Sequence, residues 1–161
     1  MFDHDPLEGY AIEVVMKVRD NIEPYIKAAS SEAVYHQFTH AGYYDREHMI
    51  VVCLDAKLRI TAVHTVSIGT LTASIVHPRE IFKIACIANA GGIMMIHNHP
   101  SGDINPSRED DRITERIEDC GKVMGIPLVD HLIIGRNGYY SYADEGCITG
   151  QASEYRGMVM K

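Results

Sequence analysis

Residues 93–110 constrain this chain more than any other segment. Ile93-Met-Met-Ile96 is a short apolar run between Gly91-Gly92 and the loop Pro100-Ser-Gly-Asp-Ile-Asn-Pro106, so it reads as a buried strand that delivers His97-Asn98-His99 at its carboxyl end. Residues two apart on an extended chain point the same way, so His97 and His99 present both imidazoles to one point in space. Asp110 falls in the first turn of the helix opened by Ser107, and the intervening loop can fold it back beside the strand end. Two imidazoles and one carboxylate leave a fourth tetrahedral position free, the mark of a catalytic rather than a closed structural zinc. Each piece also has a purely local explanation. The histidines can satisfy nearby hydrogen bonds, and Ser107 with Asp110 can form a capping-box-like pair with Asp in place of Glu. Cap and ligand are compatible, because a carboxylate in a first helical turn is favoured by the helix dipole while its second oxygen meets a metal.

The rest of the chain supplies a frame for this segment. Ser30-Ser31 offers N-cap hydroxyls to a helix with apolar Ala33, Val34, Phe38 and Ala41, closed by Gly42. His48–Leu54 and Leu58–Val66 flank the turn Asp55-Ala56-Lys57 and read as a hairpin of two strands. His77-Pro78 opens a second helix with apolar residues 81, 82, 84, 85 and 88 on one face, ended by Gly91-Gly92. The helix from Ser107 carries the stripe Ile113, Ile117, Cys120, Val123 and Met124 before Gly125 stops it. Val129–Ile134 is a further strand, turned by Gly135–Gly138 into Tyr139–Tyr142. This irregular alternation with a hairpin predicts an α+β domain, a mixed sheet with flanking helices in three layers. Residues 30–146 form that domain, 1–29 a peripheral arm with an edge strand over Tyr10–Val18, and 147–161 a polar tail.

The net charge of −7 gives no global basic field, which counts against non-specific nucleic-acid binding. The four cysteines are scattered without a CxxC pair, three of them in apolar segments, which implies buried free thiols in a reducing cytosol. No apolar run approaches the ~20 residues of a membrane span, and the acidic N-terminus lacks a secretory pattern, so a cytoplasmic protein with no membrane partner is expected. Nothing in the pattern specifies an oligomeric state.

His97-x-His99-Pro100 followed by Ser107-x-x-Asp110 resembles the JAMM signature of the JAB/MPN+ metallopeptidases. Val66-Ser-Ile-Gly-Thr70, His77-Pro-Arg-Glu80, Pro106-Ser-Arg-Glu-Asp110 and Asp130-His-Leu-Ile-Ile-Gly135 resemble the RadC-like members more narrowly. The resemblance implies a JAB/MPN-like three-layer domain akin to cytidine-deaminase-like folds, Zn2+ held by His97, His99 and Asp110, and hydrolysis of a peptide or isopeptide bond in a protein or peptide substrate. It also implies that Glu47, just ahead of the first core strand, is the general base, and that Ser107 supports the oxyanion. Full-length RadC-like proteins carry an N-terminal helix-hairpin-helix region. Residues 1–30 are too few to hold one, which puts in doubt for this chain any DNA association owed to that module, though a DNA-repair-associated accessory role stays an alternative.

Glu80, at a helix start, is the rival base and otherwise a helix-dipole partner. His131 beside Asp130 reads as a hydrogen-bonded histidine of a buried strand in preference to a partner of the metal site. Asp103 reads as an Asx-type turn, and Arg108, Arg112 and Arg116 as a solvated helix face. Two other functions compete. A metal-dependent nuclease is disfavoured by a single three-ligand site on an acidic chain, and a non-catalytic interaction module by the intact ligand set.

Overall fold

The computed structural model describes residues 27–69 and 76–149. The strand expected over 10–18 and most of the tail lie outside them. Helix α1 spans Ser31–Phe38, with the Ser30 hydroxyl accepting the Ala33 N–H at 3.1 Å as its N-cap. The chain then tightens into a 3₁₀ segment over Thr39–Tyr43, so Gly42 does not close the α-helix as expected. Strands β1 (His48–Leu54) and β2 (Ile60–Ile68) form the expected antiparallel hairpin, with β2 starting and ending two residues later than the 58–66 run. Helix α2 spans Pro78–Ile87, strand β3 Gly92–Asn98, helix α3 Arg108–Met124, strand β4 Leu128–Ile134 and strand β5 Tyr139–Ser141.

Two expected helix ends are corrected. Asn89 takes the left-handed conformation (φ 49°) that ends α2 early, and Gly92 becomes the first residue of β3, paired with Leu54. In the last turn of α3, Val123 is 88% exposed and Met124 47% exposed, so neither belongs to the buried stripe. Gly121 lies against the chain instead: a Cβ there would meet the Ile126 carbonyl at 2.7 Å, and Val123 falls about 200° away around the helix. Gly125 (φ 67°) caps the helix as expected.

The five strands form one mixed sheet in the order β2-β1-β3-β4-β5, with β3 and β4 parallel and every other pair antiparallel. Period-two alternation divides the core between its faces. Met49, Val51, Cys53, Ile93, Met95 and Ile133 pack against Ile81, Phe82 and Ala85 of α2 and against Ile113 and Ile117 of α3. Ile50, Val52, Met94, Ile96, Leu132 and Ile134 pack on the other face with Val34 and Phe38 of α1. Helices therefore cover both faces, giving the three layers expected of an α+β domain with a mixed sheet. A parallel pair needs a long crossover, and α3 supplies it between β3 and β4. A crossover helix runs back against its strands, so the start of α3 lies at the carboxyl end of β3, where the histidines are.

Candidate metal centre

His97 is the sixth residue of β3 and shares a face with Met95, toward α3. Its Nε2 lies 2.8 Å from His99 Nε2 and 3.2 Å from Asp110 Oδ1, while Asp110 Oδ2 lies 3.4 Å from His99 Nε2. One nitrogen or oxygen from each of the three side chains falls in a group no wider than 4.8 Å. The structure therefore brings together all three residues singled out by the sequence. Asp110 also completes a capping box: its Oδ2 accepts the Ser107 N–H at 2.7 Å, and the Ser107 hydroxyl accepts the Asp110 N–H at 3.2 Å. Cap and cluster share one carboxylate.

The charges follow from burial and contact. His97 is 1% exposed, and burial pushes its pKa down to about 4, with the Asp110 charge only partly opposing. His99 is less enclosed, and its hydrogen bond with Asp110 raises its pKa, helped by the Asp103 carbonyl. Burial works against ionisation of Asp110, but the contacts with His99, His97 and Ser107 outweigh it and hold the carboxyl well below the usual range. His99 Nδ1 sits 2.7 Å from the Asp103 carbonyl oxygen, which only accepts, so this nitrogen carries a hydrogen. In neutral His99 the Nε2 lone pair then faces His97 and the carboxylate. Two imidazoles and a carboxylate turned on one another call for a positive charge between them, and the donor set suits a divalent metal ion.

Glu47 reaches the same place by strand register. Met49 pairs with His97 across the antiparallel β1–β3 ladder, so two residues further along Glu47 comes opposite His99. The Asn98 side chain holds it there: Oδ1 accepts the His48 N–H at 2.9 Å, and Nδ2 donates to the Arg46 carbonyl at 3.0 Å. Fully buried Asn98 thus grips the backbone on both sides of Glu47. An open groove of about 900 Å³ is lined by Glu47, His99, Ser107 and Asp110, with Arg46 and Asn105 among its walls. Glu80 lies elsewhere, as a helix-start carboxylate whose pKa is lowered by its hydrogen bond with Lys83 at 2.6 Å.

Backbone packing fixes the loop after His99. Gly102 has φ 85°, a conformation that favours glycine, and its N–H donates to the His99 carbonyl at 2.9 Å. A Cβ on Gly135 would come within 2.6 Å of the Gly102 carbonyl oxygen and 2.7 Å of Ile104 Cγ2, so the end of β4 touches the loop directly.

The sequence reading missed Asn98 altogether and undervalued His131. Fully buried His131 places Nε2 2.9 Å from His97 Nδ1 and Nδ1 2.7 Å from the Thr114 hydroxyl. The expected buried, hydrogen-bonded strand histidine is correct, but its partner is His97 of the candidate metal cluster. Asp130 faces the other way and accepts from Ser141 and the His131 and Ala143 N–H groups. Asp103 forms the Asx turn, accepting from Asn105, with the added task of anchoring His99 through its carbonyl. Arg108, Arg112 and Arg116 are exposed, and Arg112 pairs with Glu109. All four cysteines are free, but only Cys53 is buried; Cys86 and Cys147 are exposed and Cys120 is intermediate. No helix among the described residues is long and apolar enough to cross a membrane.

The fold and cluster define a mixed α+β domain with a His-His-Asp group able to hold a metal ion. Residues 28–147 match the family model described as the RadC-like JAB domain, and the chain belongs to that family. It is 46% identical over 120 residues to a UPF0758 protein of Thermotoga maritima, covering 74% of this chain and 54% of that one. A UPF0758 protein of Methanosarcina barkeri is 46% identical over 127 residues, covering 78% and 56%, and one of Symbiobacterium thermophilum is 50% identical over 104 residues, covering 65% and 44%. The chain thus spans about half the length of the curated relatives it matches.

Proposed function

We propose that the protein is a zinc-dependent hydrolase of the JAMM metallopeptidase type, acting on a peptide or isopeptide bond of a protein or peptide substrate in the cytoplasm. The observation that carries this reading is the cluster of His97, His99 and Asp110 at the wall of an open groove lined by His99, Asp110 and Glu47. Zinc, when bound, supplies a Lewis acid and lowers the pKa of water toward neutrality. Glu47, opposite His99, takes the proton that hydrolysis releases and returns it to the leaving nitrogen. The Ser107 hydroxyl caps α3 with a lone pair only, which leaves its hydrogen to donate to the developing oxyanion. The buried His97 and the Asp103-anchored His99 keep their rings in place, so the site needs little rearrangement to bind.

Elemental analysis after zinc reconstitution should find one zinc per chain. Glu47→Gln should keep that zinc while hydrolysis, measured on a panel of peptide, isopeptide and nucleic-acid substrates, falls ~10²–10⁴-fold. Full activity in Glu47→Gln would remove Glu47 as the base, and loss of its zinc would make it a ligand. Cleavage of nucleic acid alone would overturn the peptidase reading.

A further inference from the structure

Thr114 lies one turn beyond Asp110 on α3, and both it and His131 are buried without lining the groove. Their hydrogens can be counted. The Thr114 hydroxyl makes two short contacts, 2.6 Å to the Asp110 carbonyl oxygen and 2.7 Å to His131 Nδ1, and it has a single hydrogen. The carbonyl can only accept, so the hydroxyl hydrogen lies there, as in the common bond of a helical threonine to the carbonyl four residues back. His131 Nδ1 must then donate to Thr114. A neutral imidazole carries one hydrogen, so His131 Nε2 is an acceptor, and the 2.9 Å contact to His97 Nδ1 is donated by His97. That leaves the lone pair of His97 Nε2 facing His99 and Asp110. The stack of the Tyr142 ring on His131, centroids 5.0 Å apart and planes within 6°, holds the intermediate ring in plane.

We propose that Thr114 and His131 are positioning residues that set the tautomer and orientation of His97 for metal binding. The helix that contributes Asp110 as a ligand thereby also dictates, one turn later, which nitrogen of His97 is free to be one. This inference rests on the reading of His97 as a ligand. With valine at position 114 the shape is kept but the acceptor is gone. His131 Nδ1–H would have no acceptor there, so the hydrogens shift along the chain until His97 Nε2 donates to Asp110, which leaves no buried donor unpaired but blocks the nitrogen a metal needs.

The test compares wild type, Thr114→Val and Thr114→Ser by zinc affinity in a chelator competition, by thermal unfolding in chelator, and by ¹⁵N NMR of the imidazoles with and without zinc. Wild-type His97 should carry its hydrogen on Nδ1 in both states. Thr114→Val should bind zinc about 10–100-fold more weakly, and Thr114→Ser should recover most of that loss, because it restores the hydroxyl. Metal-free Thr114→Val should unfold no earlier than Thr114→Ser, which a purely structural role would not give. Zinc affinity unchanged in Thr114→Val, no rescue by serine, or a hydrogen on His97 Nε2 in the wild type would overturn the proposal. A wild type with His97 Nδ1–H that nonetheless takes up no zinc would uphold the relay and sink the metal reading instead.

Discussion

Replacing Asp110 by asparagine separates its two jobs, capping α3 and completing the cation site. The carboxylate is 3% exposed, with Oδ2 on the Ser107 N–H at 2.7 Å and Oδ1 3.2 Å from His97 Nε2. Asparagine keeps the size and one oxygen, which can take over the bond from Ser107. Its amide nitrogen would then face His97 Nε2 and donate to it. In the metal-free protein the substitution loses the charge at the helix start, ~0.3–1 kcal/mol. It also exchanges the charge-assisted bonds to the Ser107 N–H and His99, each ~1.5–3 kcal/mol, for neutral ones of ~0.5–1.5 kcal/mol, so the metal-free variant should be destabilised by about 1–3 kcal/mol. Zinc behaves differently. With free zinc buffered at ~1,000 times the wild-type Kd, binding stabilises the native state by about 4 kcal/mol, or roughly 8–16 °C in Tm for a domain of this size. In Asp110→Asn nearly all of that shift should vanish, because the anionic ligand has become a donor pointing at the ion. The assay is thermal unfolding of both proteins in chelator and in buffered zinc. A wild-type zinc shift in Asp110→Asn would show that Asp110 is only a cap. A metal-free variant destabilised by more than ~3 kcal/mol would show that the helix start depends on its charge, against the balance worked out above.

Two further outcomes follow from the packing and the buried rings. In chelator, Tm should fall as pH drops from about 6.5 toward 4. The unfolded chain takes up protons near the ordinary histidine value, while burial holds folded His97 at about 4 and His131 below its usual range. That stability is present above the unfolded value and is lost as pH falls. His99, raised by Asp110, works in the opposite sense and loses its contribution as pH rises, but it is one half-buried ring against two buried ones. A flat profile over this range in a pH series of melting curves would refute the assignment of neutral buried rings. Gly135→Ala should cost ~1–3 kcal/mol, since its Cβ has no room between the Gly102 carbonyl and Ile104. The same variant should weaken zinc binding by displacing the loop that carries His99, measurable in the chelator competition, and an unchanged Kd would show that the loop and the site are independent.

Local pattern was enough for much of this protein. The hairpin of β1 and β2, the amphipathic start of α3 with its Ser107 cap, and the placing of His97 and His99 on one side of a strand end all depend on neighbours within a few residues, where backbone periodicity leaves little choice. The cluster itself was legible because α3 returns across β3, so a short stretch of sequence holds all three residues. Other features depended on contacts that no local pattern encodes. Val123 and Met124 have helical spacing, yet the chain at Ile126 packs under Gly121 and leaves them in solvent. Cys86 and Cys147 lie in solvent although cysteine is usually buried. Above all, Asn98, Thr114 and His131 are unremarkable as residues in a strand, a helix and a strand. Only the register of β1 on β3, and the seat of α3 over β4, brings Asn98 to the backbone around Glu47 and aligns Thr114, His131 and His97 in one line of hydrogen bonds. Side-chain hydrogen bonds act over about 3 Å, so which residues share them is decided by how the elements dock rather than by their order along the chain.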